Sequence, residues 1–454
     1  MVVEGWLARA AAGRPERVAL ETREGSCTYA ELLALARAGA YELAELGAGP
    51  GERVAIALPP GLAFAGALHA CLLLGAVAVP VDARATDAER AAIAEGATLL
   101  VQEPLSGRSV QKLGVGLPPG ELAGGHDLDA TAVVLHTSGT TSEPKPVELT
   151  YGNFLWSALG SSVALGQDGA ERWLCTLPLC HVGGLSILLR SCIYGTTALV
   201  HERFDTDRVL YALRDQGVTL VSLVATTLAR LLDAGLRRPP SLRCALTGGG
   251  PVPAALLARA REAQVPVSLT YGLTEACSQV TTTPLAAIAG REGIGVRPAT
   301  AGPPLFCTRV QMAADGEILV RGPTVAAGAT AEDGWLHTGD LGRVDPEGRL
   351  LLDGRKAETI VSGGENVSPA EVEAVLAAHP KVLEAAVLGR PDREWGEAVT
   401  AIVVARGGQE PDEDELRAHC ARALAPHKVP KRIVLSIEPL PRTQSGKLLR
   451  RELR

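Results

Sequence analysis

The stretch TSGTTSEPKP, residues 137–146, follows directly on the apolar run AVVLH, residues 132–136. A strand that breaks into a loop of small, hydroxylated residues exposes backbone N–H groups and hydroxyls, with no bulky side chain to hold an anion away. Thr137, Ser138, Thr140 and Thr141 can each donate a hydrogen bond to a phosphate oxygen, Gly139 permits a positive φ, and Lys145 supplies a point charge. Most Ser/Thr-rich runs are solvated loops. This one is not a Walker loop, because the second glycine and the Gly-Lys-Ser/Thr ending are missing. It reads as a phosphate cradle of another kind.

Outward from the cradle, apolar runs and helical segments alternate at the spacing of βαβ units through residue 261, which predicts a parallel sheet. Residues 62–81 are about as long as a membrane span. They contain His69 and split into a helix ending near Gly75 and a strand over 76–82, so a buried helix–strand pair is the expectation and no membrane span is assigned. Residues 104–125, rich in Gly and Pro, read as a surface connection. After about residue 298, short strands beside the turns AADG and DPEG predict hairpins closing a large unit. Beyond Gly354, about a hundred residues suffice for a small independent domain, ending in an amphipathic helix over 442–454. The fold class is therefore α/β: residues 1–353 form a large N-terminal domain with a β-rich closing unit, and residues 354–454 a smaller, mobile C-terminal domain.

At 454 residues, 46% of them hydrophobic, the chain can bury a large core. Mixed charge with a net of −7 excludes a nucleic-acid partner as the leading reading. The nine cysteines include no C-x-x-C pair and read as reduced, mostly buried residues of a cytoplasmic protein, and no signal peptide is evident.

Further motifs stand in order along the chain: TGGGP (247–251), YGLTEACSQ (271–279), HTGD (337–340), GRKAETIVSGGENVSPAEVE (354–373) and PRTQSGKLLRREL (441–453). Together with the cradle they resemble the nucleotide-binding motifs of the adenylate-forming superfamily, which comprises acyl-CoA synthetases, peptide-synthetase adenylation domains and luciferases. The usual cradle there is close to TSGTTGKPKG. This chain departs at Ser142, Glu143 and Pro146, which adds a negative charge and removes a backbone donor. The resemblance implies that ATP, Mg²⁺ and coenzyme A are used. Gly248, Gly249, Gly250 and Pro251 would wall the adenine slot; Tyr271 would stack on the purine, with Gly272 allowing close backbone approach. Thr274 would donate to the α-phosphate and Glu275 would bind magnesium. Asp340 would grip the ribose hydroxyls and Arg355 the ribose or phosphate. Ser362, Gly363, Gly364, Glu365 and Asn366 would border the coenzyme A tunnel, Ala357 would be the hinge, and Lys447 would be the catalytic cation of adenylation.

PLCHVGGLSILLR (178–190) and TYGNFLWSALGSS (150–162), with TGGGP and YGLTEACSQ, most resemble the o-succinylbenzoate-CoA ligases of menaquinone biosynthesis within the superfamily. The implied substrate is thus a small carboxylic acid, o-succinylbenzoate, with His181 lining the acyl tunnel and Ser278 and Arg190 as candidates for its second carboxylate. An arginine near a helix end is more often a surface cation, and a histidine at such a place is as often a satisfied core residue. Rival readings are an aryl or medium-chain acyl-CoA synthetase, an enzyme loading a carrier protein, and a nucleotide-binding protein without turnover. The resemblance also allows a homodimer.

Overall fold

The computed structural model describes residues 1–105, 122, 124–137, 145–289, 300–407, 411–442 and 448–453. Ser138, Gly139, Thr140 and Thr141 of the cradle, its departures Ser142 and Glu143, and Lys447 lie outside the described residues.

The alternation of strand and helix resolves into two mainly parallel sheets. The eight-stranded sheet runs Ser278–Thr282, Val267–Leu273, Cys244–Thr247, Leu220–Leu223, Arg172–Cys175, Thr197–Val200, Val18–Thr22 and Gly25–Thr28. Its six inner strands are parallel, with an antiparallel strand at each edge. The five-stranded sheet runs Leu99–Val101, Arg53–Ile56, Val77–Pro80, Thr131–Thr137 and Lys145–Thr150, parallel except for the last. Alternation dictates parallel pairing, but it does not say which sheet a strand joins. Here Val18–Thr22 and Arg53–Ile56 part company, and a single core packs side chains of both sheets, among them Leu20, Ile56, Leu135 and Trp173, against the helices between them.

Those helices carry their own stop and start signals. Tyr29–Glu45 begins at a capping box in which Thr28 accepts from Glu31 N and the Glu31 carboxylate accepts from Thr28 N. Leu62–Leu74 is buried almost all round and ends at Gly75 in the left-handed region, φ +76°. This is the helix–strand pair expected from the long apolar run, and among the described residues no helix is long and apolar enough to cross a membrane.

A four-stranded antiparallel sheet, Arg309–Met312, Glu317–Arg321, Leu336–Val344 and Leu350–Arg355, closes the large domain. The smaller C-terminal domain is a five-stranded sheet built around the hairpin Val382–Asp392 and Gly396–Ala405 and covered by helices Pro369–Ala377 and Glu413–Ala423. The expected final helix is not formed among its described residues. Arg442 instead bridges to Leu448, and only a 3-10 turn, Arg450–Leu453, follows. The apolar residues of this arm, Leu448 and Leu453, pack on the sheet through Ala386 and Ile402, and a turn suffices to bring them there.

The chain's beginning is tied down by a short strand, Val2–Glu4, pairing with Gly125–Asp127, which sequence pattern did not reveal. Behind it His126 stacks on Tyr151 at 4.3 Å and accepts from Trp6 N at 3.2 Å. Burial pushes the pKa of His126, and that of the neighbouring His69, down to about 4. Both fold as neutral imidazoles, while the unfolded chain takes up protons from about pH 6.5 downward. Stability from this source is therefore complete above pH 6.5 and is lost as pH falls towards 4. At about 1.4 kcal/mol per pKa unit, each histidine accounts for roughly 3 kcal/mol across that window. A pH series of thermal midpoints is expected to show a steep acid-side fall that is shallower in His69→Gln. An unchanged slope would contradict the assignment.

Candidate active site

In a parallel sheet, ligands gather beyond the carboxyl ends of the strands. Here the carboxyl ends of Arg172–Cys175, Cys244–Thr247 and Val267–Leu273 lead respectively to His181, to Gly248–Pro251 and to Thr274–Glu275, so the sheet itself assembles three of the motifs. Gly248 lies against the next strand: a Cβ there would sit 2.7 Å from Thr270 O. The strand Thr131–Thr137 and its antiparallel partner Lys145–Thr150 bring Thr137 and Lys145 into register at the base of the cradle, with the Lys145 side chain exposed.

Thr274, Glu275 and Ala276 form a 3-10 turn, after which the chain doubles back through Cys277 at φ +50° and Ser278 at φ +88°. Two consecutive non-glycine residues in the left-handed region are strained. The return strand crosses so closely over Gly272 that a Cβ there would lie 1.5 Å from Ser278 O, so only glycine fits. Two bonds hold this corner. Ala326 N donates to Glu275 O at 2.8 Å, and Ser157 Oγ donates to Cys277 O at 2.6 Å. The Glu275 side chain is half-buried and no described residue pairs with its carboxylate, which leaves hard oxygen atoms free for a magnesium ion.

Asp340 and Arg355 are Cα partners on adjacent strands of the closing sheet, and Arg355 Nε lies 2.8 Å from Asp340 Oδ1. Tyr271, only 7% exposed, donates its hydroxyl to Asp340 Oδ2 at 2.8 Å. Burial, reinforced by the Asp340 charge, raises the Tyr271 pKa well above the ordinary phenol value, so the hydroxyl stays protonated as a donor. This link across two sheets is a role for Tyr271 that its motif did not reveal. A carboxylate has about four acceptor sites, so Asp340 retains capacity for two ribose hydroxyls.

His181 is neither a core residue nor deeply enclosed: it is the exposed N-cap residue of the helix Val182–Tyr194. It comes close to Asp82, which follows the strand Val77–Pro80 of the other sheet. Burial works against the Asp82 carboxylate, but hydrogen bonds from Arg84 and the charges of Arg84 and His181 hold its pKa below the usual value.

Arg190, a candidate for the acid's second carboxylate, is not the surface cation that its place near a helix end more often signals but is 3% exposed, within the same helix as it packs against Tyr151–Leu165. Arg190 Nη2 donates to Ser157 Oγ at 2.8 Å, the Trp173 ring lies 5.8 Å away, and Nε has no partner among the described residues. Among the described residues no carboxylate faces it; its charged and polar surroundings are Tyr194, Cys277 and Cys307, and burial lowers its pKa. Ser157, which joins Arg190 to the Cys277 corner, was not singled out from sequence, because nothing in the run around it marks one serine above the others.

In the smaller domain, Ser362 is fully buried, whereas Gly363, Gly364, Glu365 and Asn366 are exposed at the tip of a two-residue hairpin with both glycines at positive φ. Ala357 lies in a 3-10 turn between Arg355 and Glu358.

Residues 7–329 match the AMP-binding enzyme family and residues 371–447 the AMP-binding enzyme C-terminal domain. The chain belongs to the AMP-binding enzyme family. It is 38% identical over 480 aligned residues to the 2-succinylbenzoate–CoA ligase of Bacillus subtilis (strain 168), covering 99% of this chain and 97% of the relative. Among solved structures it is similar to the o-succinylbenzoate CoA synthetase of Bacillus subtilis bound to its acyl-adenylate intermediate, with a TM-score of 0.89 at 37% identity, covering 100% of this chain and 98% of the other. The same enzyme bound to ATP and a magnesium ion matches at a TM-score of 0.88, again at 37% identity, covering 100% of both chains. The fold is thus that of the adenylate-forming ligases, and the Glu275 carboxylate, unpaired among the described residues, and Asp340 suit the ATP and magnesium of this family.

Proposed function

We propose that the protein joins 2-succinylbenzoate to coenzyme A with MgATP, through an acyl-adenylate. Full-length similarity to ligases of that name supports the reaction. The observation that carries the substrate is Arg190. A guanidinium with no carboxylate partner is costly to bury, and a diacid has a second carboxylate to offer it while the first reacts.

In the first half-reaction a carboxylate oxygen of the acid attacks the α-phosphorus of ATP, the bond to the β-phosphate oxygen breaks, and pyrophosphate leaves. Magnesium, when bound, offsets charge on the phosphate oxygens. Lys145 and Thr137 belong to the cradle of the β- and γ-phosphates, together with Ser138, Gly139, Thr140 and Thr141. Thr274 donates to the α-phosphate, and Glu275 would hold the metal. Asp340, oriented by Tyr271 and Arg355, fixes the ribose, and Gly248, Gly249, Gly250 and Pro251 flank the base. Lys447 neutralises charge on the reacting oxygens. In the second half-reaction the coenzyme A sulfur attacks the acyl carbon, AMP departs with the bonding electrons, and the thiol proton is released. Gly363, Gly364, Glu365 and Asn366 border the thiol's path. We divide the chain at 353/354 and place the protein in the cytoplasm, where its nine free thiols stay reduced.

The test is a panel of acids scored by ATP-dependent thioester formation: 2-succinylbenzoate should far outrun benzoate and octanoate, and the reverse order would remove the diacid. Ser278→Ala is expected to weaken 2-succinylbenzoate by roughly 1 to 3 kcal/mol, the usual cost of a lost donor to a charged acceptor, and barely to affect a monoacid. Equal losses for both acids would exclude Ser278 from the far end of the tunnel.

A further inference from the structure

We propose that Ser157 is a positioning residue whose one hydroxyl sets the Arg190 guanidinium for the acid and holds the Cys277 corner that carries Glu275, so that diacid selectivity and the grip on magnesium depend on the same side chain. The helix that bears it, Tyr151–Leu165, continues directly from the strand Lys145–Thr150 at the base of the cradle and starts at Thr150, whose side chain accepts from Asn153 N at 3.1 Å. Asn153 and Ser157 stand four residues apart and share a face of that helix. Both are buried, and together they brace the turn Thr274–Ala276 from its two sides. On one side Asn153 Nδ2 donates to Pro323 O at 2.9 Å and to Val325 O at 3.2 Å, and Ala326, next in that segment, donates its N–H to Glu275 O. On the other side Ser157 donates to Cys277 O.

A serine hydroxyl has one proton to give and lone pairs to receive with. The proton goes to Cys277 O at 2.6 Å, and a lone pair receives Arg190 Nη2 at 2.8 Å. Both assignments are forced, because a guanidinium has no acceptor and a carbonyl no donor. The first bond satisfies the carbonyl of a fully buried residue at φ +50°, with Ser278 at φ +88° directly after it. Without that bond a buried carbonyl is stranded where the backbone is already strained, and the turn closed by Cys277 N on Thr274 O is free to relax, taking Glu275 with it. The second bond is the only side-chain hydrogen bond to Arg190 among the described residues. A guanidinium is planar and rigid, so fixing Nη2 beside the Trp173 ring also fixes the direction of the N–H at Nε, which stays open to a carboxylate. The acid-directed half of this role rests on the diacid reading given above. The magnesium half rests on Glu275 and its turn.

The test reads two quantities on the full chain: the ratio of kcat/KM for 2-succinylbenzoate to that for benzoate, and the magnesium concentration that half-saturates ATP binding, measured by calorimetry with neither acid nor coenzyme A present. Ser157→Ala is expected to lower the ratio about tenfold and to raise the half-saturating magnesium about fivefold. Ser157→Cys keeps the volume but offers only a weak donor, so it should move both quantities the same way and exclude a cavity as the cause. Ser162→Ala, on the same helix and bonded to its own Leu159 O, should leave both native. Arg190→Met separates the two bonds. It should lower the ratio and keep the native magnesium dependence, since Ser157 still reaches Cys277 O; adding Ser157→Ala to it should then raise the magnesium requirement and lower the ratio no further. A native magnesium dependence in Ser157→Ala would overturn the proposal, as would a native ratio. If the native protein itself shows no preference for 2-succinylbenzoate, the substrate reading has failed, and the magnesium measurement, made without any acid, still accepts or rejects the hold of Ser157 on the corner.

Discussion

Replacing Lys447 with alanine is expected to slow formation of the acyl-adenylate by about two orders of magnitude or more, and to leave thioester formation from supplied acyl-adenylate largely intact. Attack on the α-phosphorus builds negative charge on a pentacoordinate centre. A positioned ammonium group in a site sheltered from water offsets that charge, and removing one such group costs about 3 kcal/mol or more in the barrier. The second half-reaction builds its charge at the acyl carbon and not at the phosphorus, so on the proposed reading the lysine contributes little there. Single-turnover assays of pyrophosphate release and of thioester formation separate the steps. An equal loss in both would remove the lysine from a step-specific role.

The second large effect concerns Arg190. Arg190→Met is expected to lower kcat/KM for 2-succinylbenzoate by about 3 kcal/mol or more, the usual cost of stranding one partner of a buried ion pair. The same variant should turn over benzoate no worse than the native protein. It should also melt at a higher temperature without ligand, since an unpaired buried guanidinium has been exchanged for an apolar side chain of similar length. This opposite movement of activity and stability distinguishes a ligand-directed charge from a structural one. A lower melting temperature together with unchanged diacid kinetics would show that Arg190 serves the packing of its helix, through Ser157 and Trp173.

Local patterns carried much of the architecture. Gly75 announced a helix end, and the apolar run before Thr137 a strand that opens into the cradle loop. What local pattern lacks is partnership over distance. The division into two sheets depends on which helices share a core, and the strand Val2–Glu4 is defined by a partner about 120 residues away. The site divides in the same way. Residues carried by a dedicated motif, Gly272, Glu275 and Asp340 among them, could be singled out as candidates. Features defined by an environment could not: the burial of Arg190, because a helix position does not report it, and the part of Ser157, because its hydroxyl matters only through Arg190 and Cys277. The Tyr271 hydroxyl, bonded to Asp340 across 69 residues of sequence, belongs to this second class.

The central claim is ligation through a tightly held acyl-adenylate, and its most direct measurement omits coenzyme A. The protein, mixed with 2-succinylbenzoate and MgATP and quenched within one turnover, should yield a stoichiometric burst of pyrophosphate and an equal amount of the enzyme-bound acyl-adenylate. Coenzyme A added afterwards should convert that adenylate to thioester and AMP in equal amounts. Release of ADP and phosphate in place of pyrophosphate, or thioester formed with no adenylate preceding it, would contradict the account.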